Sequence, residues 1–248
     1  MNRAYVATSA TLMGVLWPLL VLSASAETKT SEETKVVASP GAAKAILYVP
    51  PPRGAPGSRM GGGTRSAGTD ACDAQLEALV PEKHVGITTQ SQPILQWSLS
   101  SKVPCRIDFV LNDSRKPQPV VEKTLEGPFS AGIHQVDLSR LGVELEPDVE
   151  YEWSVAIVRD PERRSRDTVA GGPVMRRAPL VTAGRSGGEL ASLYSQEGVW
   201  YDALAALSAG IDAHPDDAQL REDRAELLEQ VGLGDVAARE RGPWSGAR

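Results

Sequence analysis

The chain has 248 residues, enough for one or two domains. Its 41% hydrophobic and 23% charged residues exclude a wholly disordered polymer. Aromatic content of only 5% implies a modest core. The formal net charge of −6, with no basic stripe, excludes nonspecific nucleic-acid binding, which needs clustered cations to release counterions.

The first 26 residues read as a secretory signal. Arg3 supplies a short positive start, an apolar run follows that is densest over Leu12–Leu22, and Ala24-Ser25-Ala26 is the small-x-small pattern of a cleavage site. The expected cut is after Ala26, placing the mature chain in the periplasm or outside the cell. The alternative is an uncleaved anchor, but the dense run falls short of the roughly 20 residues that span a bilayer. No later segment reads as an integral membrane span.

Residues 27–45 are rich in Ser, Thr, Glu and Lys without period and read as a disordered leader. Residues 46–74 form a Pro/Gly/Arg-rich strap. Pro50-Pro51-Pro52 favours an extended path, Gly61-Gly62-Gly63 loosens the backbone after it, and Arg53, Arg59 and Arg65 are evenly spaced along it. Those arginines suit either an acidic partner or a wrap that covers a sheet edge of the chain itself. A nucleotide-binding loop would need Lys followed by Ser or Thr, whereas Arg65 follows Thr64 here.

The cysteines are Cys72 and Cys105. In an oxidising compartment they are expected to pair, closing a loop worth about 3–4 kcal/mol. The alternative is two buried thiols.

From 75 to 178 the texture is short alternating runs: Leu95, Trp97 and Leu99; Ile107, Phe109 and Leu111; Val120–Leu125; Ile133–Leu138; Tyr151, Trp153, Val155 and Ile157; Thr168–Met175. Turn residues separate them and no helical period intervenes, so an antiparallel β-sandwich of immunoglobulin or fibronectin type is expected. Pro147 followed by Tyr151 resembles the tyrosine corner of such domains, with plain core burial as the alternative.

Residues 179–188 read as a linker. Gly184-Arg185-Ser186-Gly187-Gly188 formally fits a nucleophile elbow. That motif needs a parallel sheet and a later Asp and His, and only His214 follows. Over 189–233 the period becomes 3.6. The order Tyr194, Gly198, Trp200, Ala203, Leu207, Pro215 resembles a tetratricopeptide repeat. A shift of about 34 residues maps Ala191 onto Ala225 and Gly198 onto Gly232. Residues 234–248 read as a flexible tail.

The Pro-Pro-Pro-Arg-Gly to Gly-Gly-Gly-Thr-Arg stretch, Leu79-Val80-Pro81, Tyr151-x-Trp153 and Gly198-Val199-Trp200-Tyr201-Asp202-Ala203-Leu204 together resemble the bacterial family of domain of unknown function 928, best populated in cyanobacteria. The resemblance implies an exported protein with this domain order and transfers no catalytic residue.

No catalytic, cofactor or metal constellation emerges; His84, His134 and His214 lie far apart without ligand spacing. The expected function is that of an exported, non-enzymatic binding or scaffolding protein whose partner is a protein or cell-envelope component. Trp200 and Tyr201 are its candidate surface anchors, with core burial as their alternative. The other readings are a carbohydrate-binding sandwich and an envelope enzyme of unrecognised type.

Overall fold

The computed structural model describes residues 45–51, 58–61 and 71–242. The signal segment, the leader up to residue 44, Arg53 and Arg65 lie outside the described residues. Eight strands come first: β1 Leu76–Ala78, β2 Gly86–Thr88, β3 Ile94–Leu99, β4 Ile107–Asp113, β5 Val121–Leu125, β6 Gly132–Asp137, β7 Glu150–Ile157 and β8 Thr168–Arg176. Four helices follow, α1 Gly187–Gln196, α2 Trp200–Ala213, α3 Ala218–Glu229 and α4 Gly234–Arg241.

The strands form two sheets, ordered β1-β3-β6 and β2-β8-β7-β4-β5. Period-two alternation sets which face is inward. Ile107, Phe109 and Leu111 of β4 and Tyr151, Trp153, Val155 and Ile157 of β7 are buried, and the residues between them are not. These side chains join Leu95, Trp97 and Leu99 of β3 in one apolar cluster that both sheets share. Among the described strands the pairing departs from the expected all-antiparallel pattern where β2 runs parallel to β8, with Ile87 opposite Met175. The three-residue β1 and β2 are too short to give a periodic signal in sequence.

Two ties fix the body. Cys72 and Cys105 are disulfide-bonded, Cα to Cα 5.9 Å, joining the chain ahead of β1 to the chain ahead of β4. The Tyr151 hydroxyl accepts from the Glu146 N–H at 3.1 Å, holding β7 to the corner before it.

Ala203, Leu204, Leu207 and Ile211 make a buried stripe on α2. Pro215 follows its end, and Asp217 caps α3 by accepting from the N–H groups of Gln219 and Leu220. The segment expected to be a flexible tail instead folds as α4 over Gly234–Arg241. Val236, Ala237 and Glu240 are buried on it, and a stripe that short is easily missed in a charged stretch such as Ala237-Ala238-Arg239-Glu240-Arg241. No helix among the described residues is long and apolar enough to cross a membrane.

Candidate functional site

Trp200 and Tyr201, expected as surface anchors, are interior: 0% and 1% exposed. Each, with Asp202, grips a different part of the β body. The Trp200 indole N–H donates to the Leu79 carbonyl at 2.8 Å. The Tyr201 hydroxyl donates to the Pro173 carbonyl at 3.0 Å and accepts from the Trp153 indole N–H at 2.8 Å. The Asp202 carboxylate accepts from the Thr88 hydroxyl at 2.5 Å, the Thr89 N–H at 2.9 Å and the Thr89 hydroxyl. Burial pushes the Asp202 carboxyl up, and the threonine bonds oppose that shift. A Cβ on Gly86 would sit 2.5 Å from the Tyr201 ring, so glycine there lets the helix approach. The Trp-Tyr-Asp run is therefore the bolt between tail and body. Its aromatic content had pointed outward only because sequence does not distinguish a buried anchor from an exposed one.

The described part of the strap runs along the helices. Ile46 and Tyr48 are buried while Leu47 and Val49 face out. Gln230 accepts from the Tyr48 N–H and donates to the Ile46 carbonyl, both at 2.9 Å, and the Val49 N–H donates to Ser195 O at 3.0 Å. Arg59 donates to the Gly232 carbonyl at 2.9 Å, and Met60 bridges Gly171 on β8 beyond the end of β2. The Arg59 guanidinium thus binds the chain's own backbone. Beside this strap a cavity of about 440 Å³ is lined by Tyr48, Pro50, Glu82, Lys83, His84 and Gln230, among others. Tyr48 stacks on His84, with hydroxyl and Nε2 2.7 Å apart. Burial raises the phenol and lowers the imidazole.

A larger groove, about 510 Å³, lies between β6 and the helices. Ser130–Gln135 form one side and Ser208, Ile211 and Asp212 of α2 the other, with Gln96 and Arg224 also lining it. Arg224 is a nine-tenths-buried cation. It pairs with the fully buried Glu240 at 2.5 Å and donates to the Ser208 hydroxyl at 3.1 Å. Ser208 then donates to Gln96 at 3.3 Å, and Gln96 to Gln135 at 3.1 Å. A hydrogen-bonded chain thus runs from α4 through α3 and α2 to the edge of the small sheet. His134 stacks on Trp97, and its Nε2 lies 2.8 Å from the Ser130 carbonyl, which only accepts, so that nitrogen carries the proton. Burial lowers the imidazole, and the bond to Ser130 partly offsets this.

Among the described residues, no group of three or more His, Cys, Asp and Glu is arranged to hold a metal ion. Ser186, of the formal nucleophile pattern, is exposed at the start of α1. The groove was invisible in sequence because Gln96, Gln135, Ser208, Asp212 and Arg224 belong to four separate elements. Only Arg224, a lone cation beside the buried Ala225, Leu227 and Leu228, hinted at it.

Fold and groove together define a mixed β/α protein whose helical tail is bolted to a two-sheet body, leaving a walled channel along one sheet. The chain belongs to the family described as Domain of Unknown Function (DUF928), whose model matches residues 60–241. No curated protein matches the chain.

Proposed function

We propose that this is an exported, non-enzymatic binding or scaffolding protein of the bacterial cell envelope, cut after Ala26, and that its binding site is the groove between β6 and α2–α3. The observation that carries the reading is the 510 Å³ groove itself, within the roughly 300–1,000 Å³ typical of ligand sites and floored by a buried, pre-positioned Arg224. The Arg224–Glu240 pair braces this floor internally, which suits holding a partner in place rather than transferring protons to it.

The fold supports a body of the immunoglobulin or fibronectin type: the strand orders, the parallel pairing of β2 with the last strand β8, and the Tyr151 corner all favour it. The helices favour two tetratricopeptide-like hairpins. Gly198 and Gly232 take the same turn position between paired helices, with φ of 71° and 80°.

The test uses a photo-crosslinking amino acid at Asp212, inside the groove, and at Lys123, on the far edge strand β5. Both variants are expressed in intact cells, and the mature N-terminus is read by mass spectrometry from the envelope fraction. The expected result is a chain starting at Glu27 and a discrete adduct from the Asp212 position alone. Identical adducts from both positions, or none from either, would overturn the binding role. Material still starting at Met1 would overturn the export.

A further inference from the structure

The hydrogen-bond register of the small sheet leaves one side of β6 unpaired among the described residues. The Leu79 N–H donates to the Gln96 carbonyl and the Ser100 N–H to the Gln75 carbonyl, so the even-numbered residues of β3 bond toward β1. The odd-numbered Leu95, Trp97 and Leu99 therefore bond toward β6, where they face Val136, His134 and Gly132. It follows that Ile133 and Gln135 turn both N–H and C=O away from β3. Among the described residues β6 pairs with no other strand, and both residues line the groove. An open row of backbone donors and acceptors thus borders a groove whose other wall is α2.

We infer that the groove binds an extended polypeptide segment of a partner protein, which adds to the small sheet as a strand alongside β6. This rests on the binding reading above and specifies its mode. Main-chain bonds to Ile133 and Gln135 supply affinity, and alternate side chains supply selectivity. On the outer face Ile133 and Ile211 receive an apolar side chain. Arg224 is neutralised by Glu240, whereas Asp212 is exposed and forms none of the ion pairs among the described residues, so the wall favours a Lys or Arg in the bound segment. A second copy of this chain fits less well. Antiparallel pairing of two β6 edges would carry a second α2 and a second Asp212 onto the same face.

The experiment starts from purified chain beginning at Glu27 and a displayed library of random ten-residue peptides, with an enriched sequence then made synthetically. The expected outcome is enrichment of alternating sequences with a basic residue. Amide exchange at Ile133 and Gln135 should slow at least tenfold on binding. Gln135→Pro removes an N–H that β3 does not use, so it should keep the fold and weaken the peptide at least tenfold relative to Gln135→Ala, which loses the same side chain but keeps the N–H. Asp212→Lys should reverse the preference for basic peptides.

Peptides that bind with unchanged exchange at Ile133 and Gln135 in the wild-type chain would overturn strand addition, whatever the proline variant does. So would a library returning no groove-dependent binder, or a chito-oligosaccharide that binds the groove instead. In each case a discrete adduct from Asp212 in cells would leave the binding role standing. Slow exchange at both amides without peptide, together with a dimer in sedimentation, would assign the edge to a second copy and overturn the inference.

Discussion

Removing the hydroxyl of Tyr201 tests the bolt between the helical tail and the β body. Tyr201→Phe keeps the ring that fills the space beside Gly86 but strips the Trp153 indole N–H of its acceptor and removes one donor from the Pro173 carbonyl, which the ladder to β2 still satisfies. Both partners are buried and no water replaces the hydroxyl without opening the junction. An orphaned buried polar group costs about 1–3 kcal/mol, so the stranded indole N–H predicts a loss of that size, a large share of the roughly 5–15 kcal/mol that holds a domain folded. Tyr151→Phe is the matched control. Its hydroxyl accepts from the N–H of the exposed Glu146, which water can satisfy, so the same chemical change should cost about 1 kcal/mol or less. The assay is equilibrium urea unfolding followed by tryptophan fluorescence and far-ultraviolet circular dichroism, with the slope unchanged if the unfolded surface is the same. A loss below about 1 kcal/mol for Tyr201→Phe, or equal losses for the two variants, would refute the reasoning.

Replacing Cys72 and Cys105 by Ser should lower stability by about 3–4 kcal/mol, read from the urea midpoint under non-reducing conditions. Arg224→Met, which strands the buried Glu240 carboxylate, should cost about 3–5 kcal/mol. Adding Glu240→Leu should recover much of that loss, and a double variant no better than the single would count against the pair being the cause. Gly86→Ala should destabilise by about 1–3 kcal/mol through its clash with Tyr201. That penalty should shrink in a Tyr201→Leu background, a non-additivity measurable as a double-mutant cycle. His84 and His134 are both lowered by burial, so the unfolded chain takes up their protons first as pH falls through about 6.5. Stability should therefore be full above neutrality and decline from pH 7 toward pH 5, and His134→Gln should flatten part of that slope in urea midpoints measured across the window.

Much of the architecture was legible because its signals are local. Alternation in Ile107–Leu111 and Tyr151–Ile157 located central strands, and Gly198 with Pro215 bracketed α2. The elements that escaped reading depend on distant partners. β1 and β2 are strands only because β3 and β8 pair with them, and α4 is held by side chains such as Glu240 reaching Arg224 on the preceding helix. The groove escaped altogether, because Ile133 and Gln135 are open only through the register β3 adopts with β1. Trp200 and Tyr201 carried the strongest local signal and the most ambiguous one: large aromatics serve interfaces and interiors alike. Their hydrogen bonds to Leu79 and Pro173 decide for the interior.

The bolt also bears on how the chain matures. Trp200 finds its carbonyl 121 residues upstream, and Asp202 its threonines 113 and 114 residues upstream. A polypeptide that emerges amino end first exposes Leu79, Thr88 and the Trp153 indole well before the residues that cover them exist in the same space. Such sequence-distant closure is slow, because loop entropy is spent before the contacts repay it. The β body is consequently an unfinished surface until synthesis has run almost to the last helix, and any truncation before Trp200 should be found as an aggregate or a proteolytic fragment rather than as a smaller folded domain.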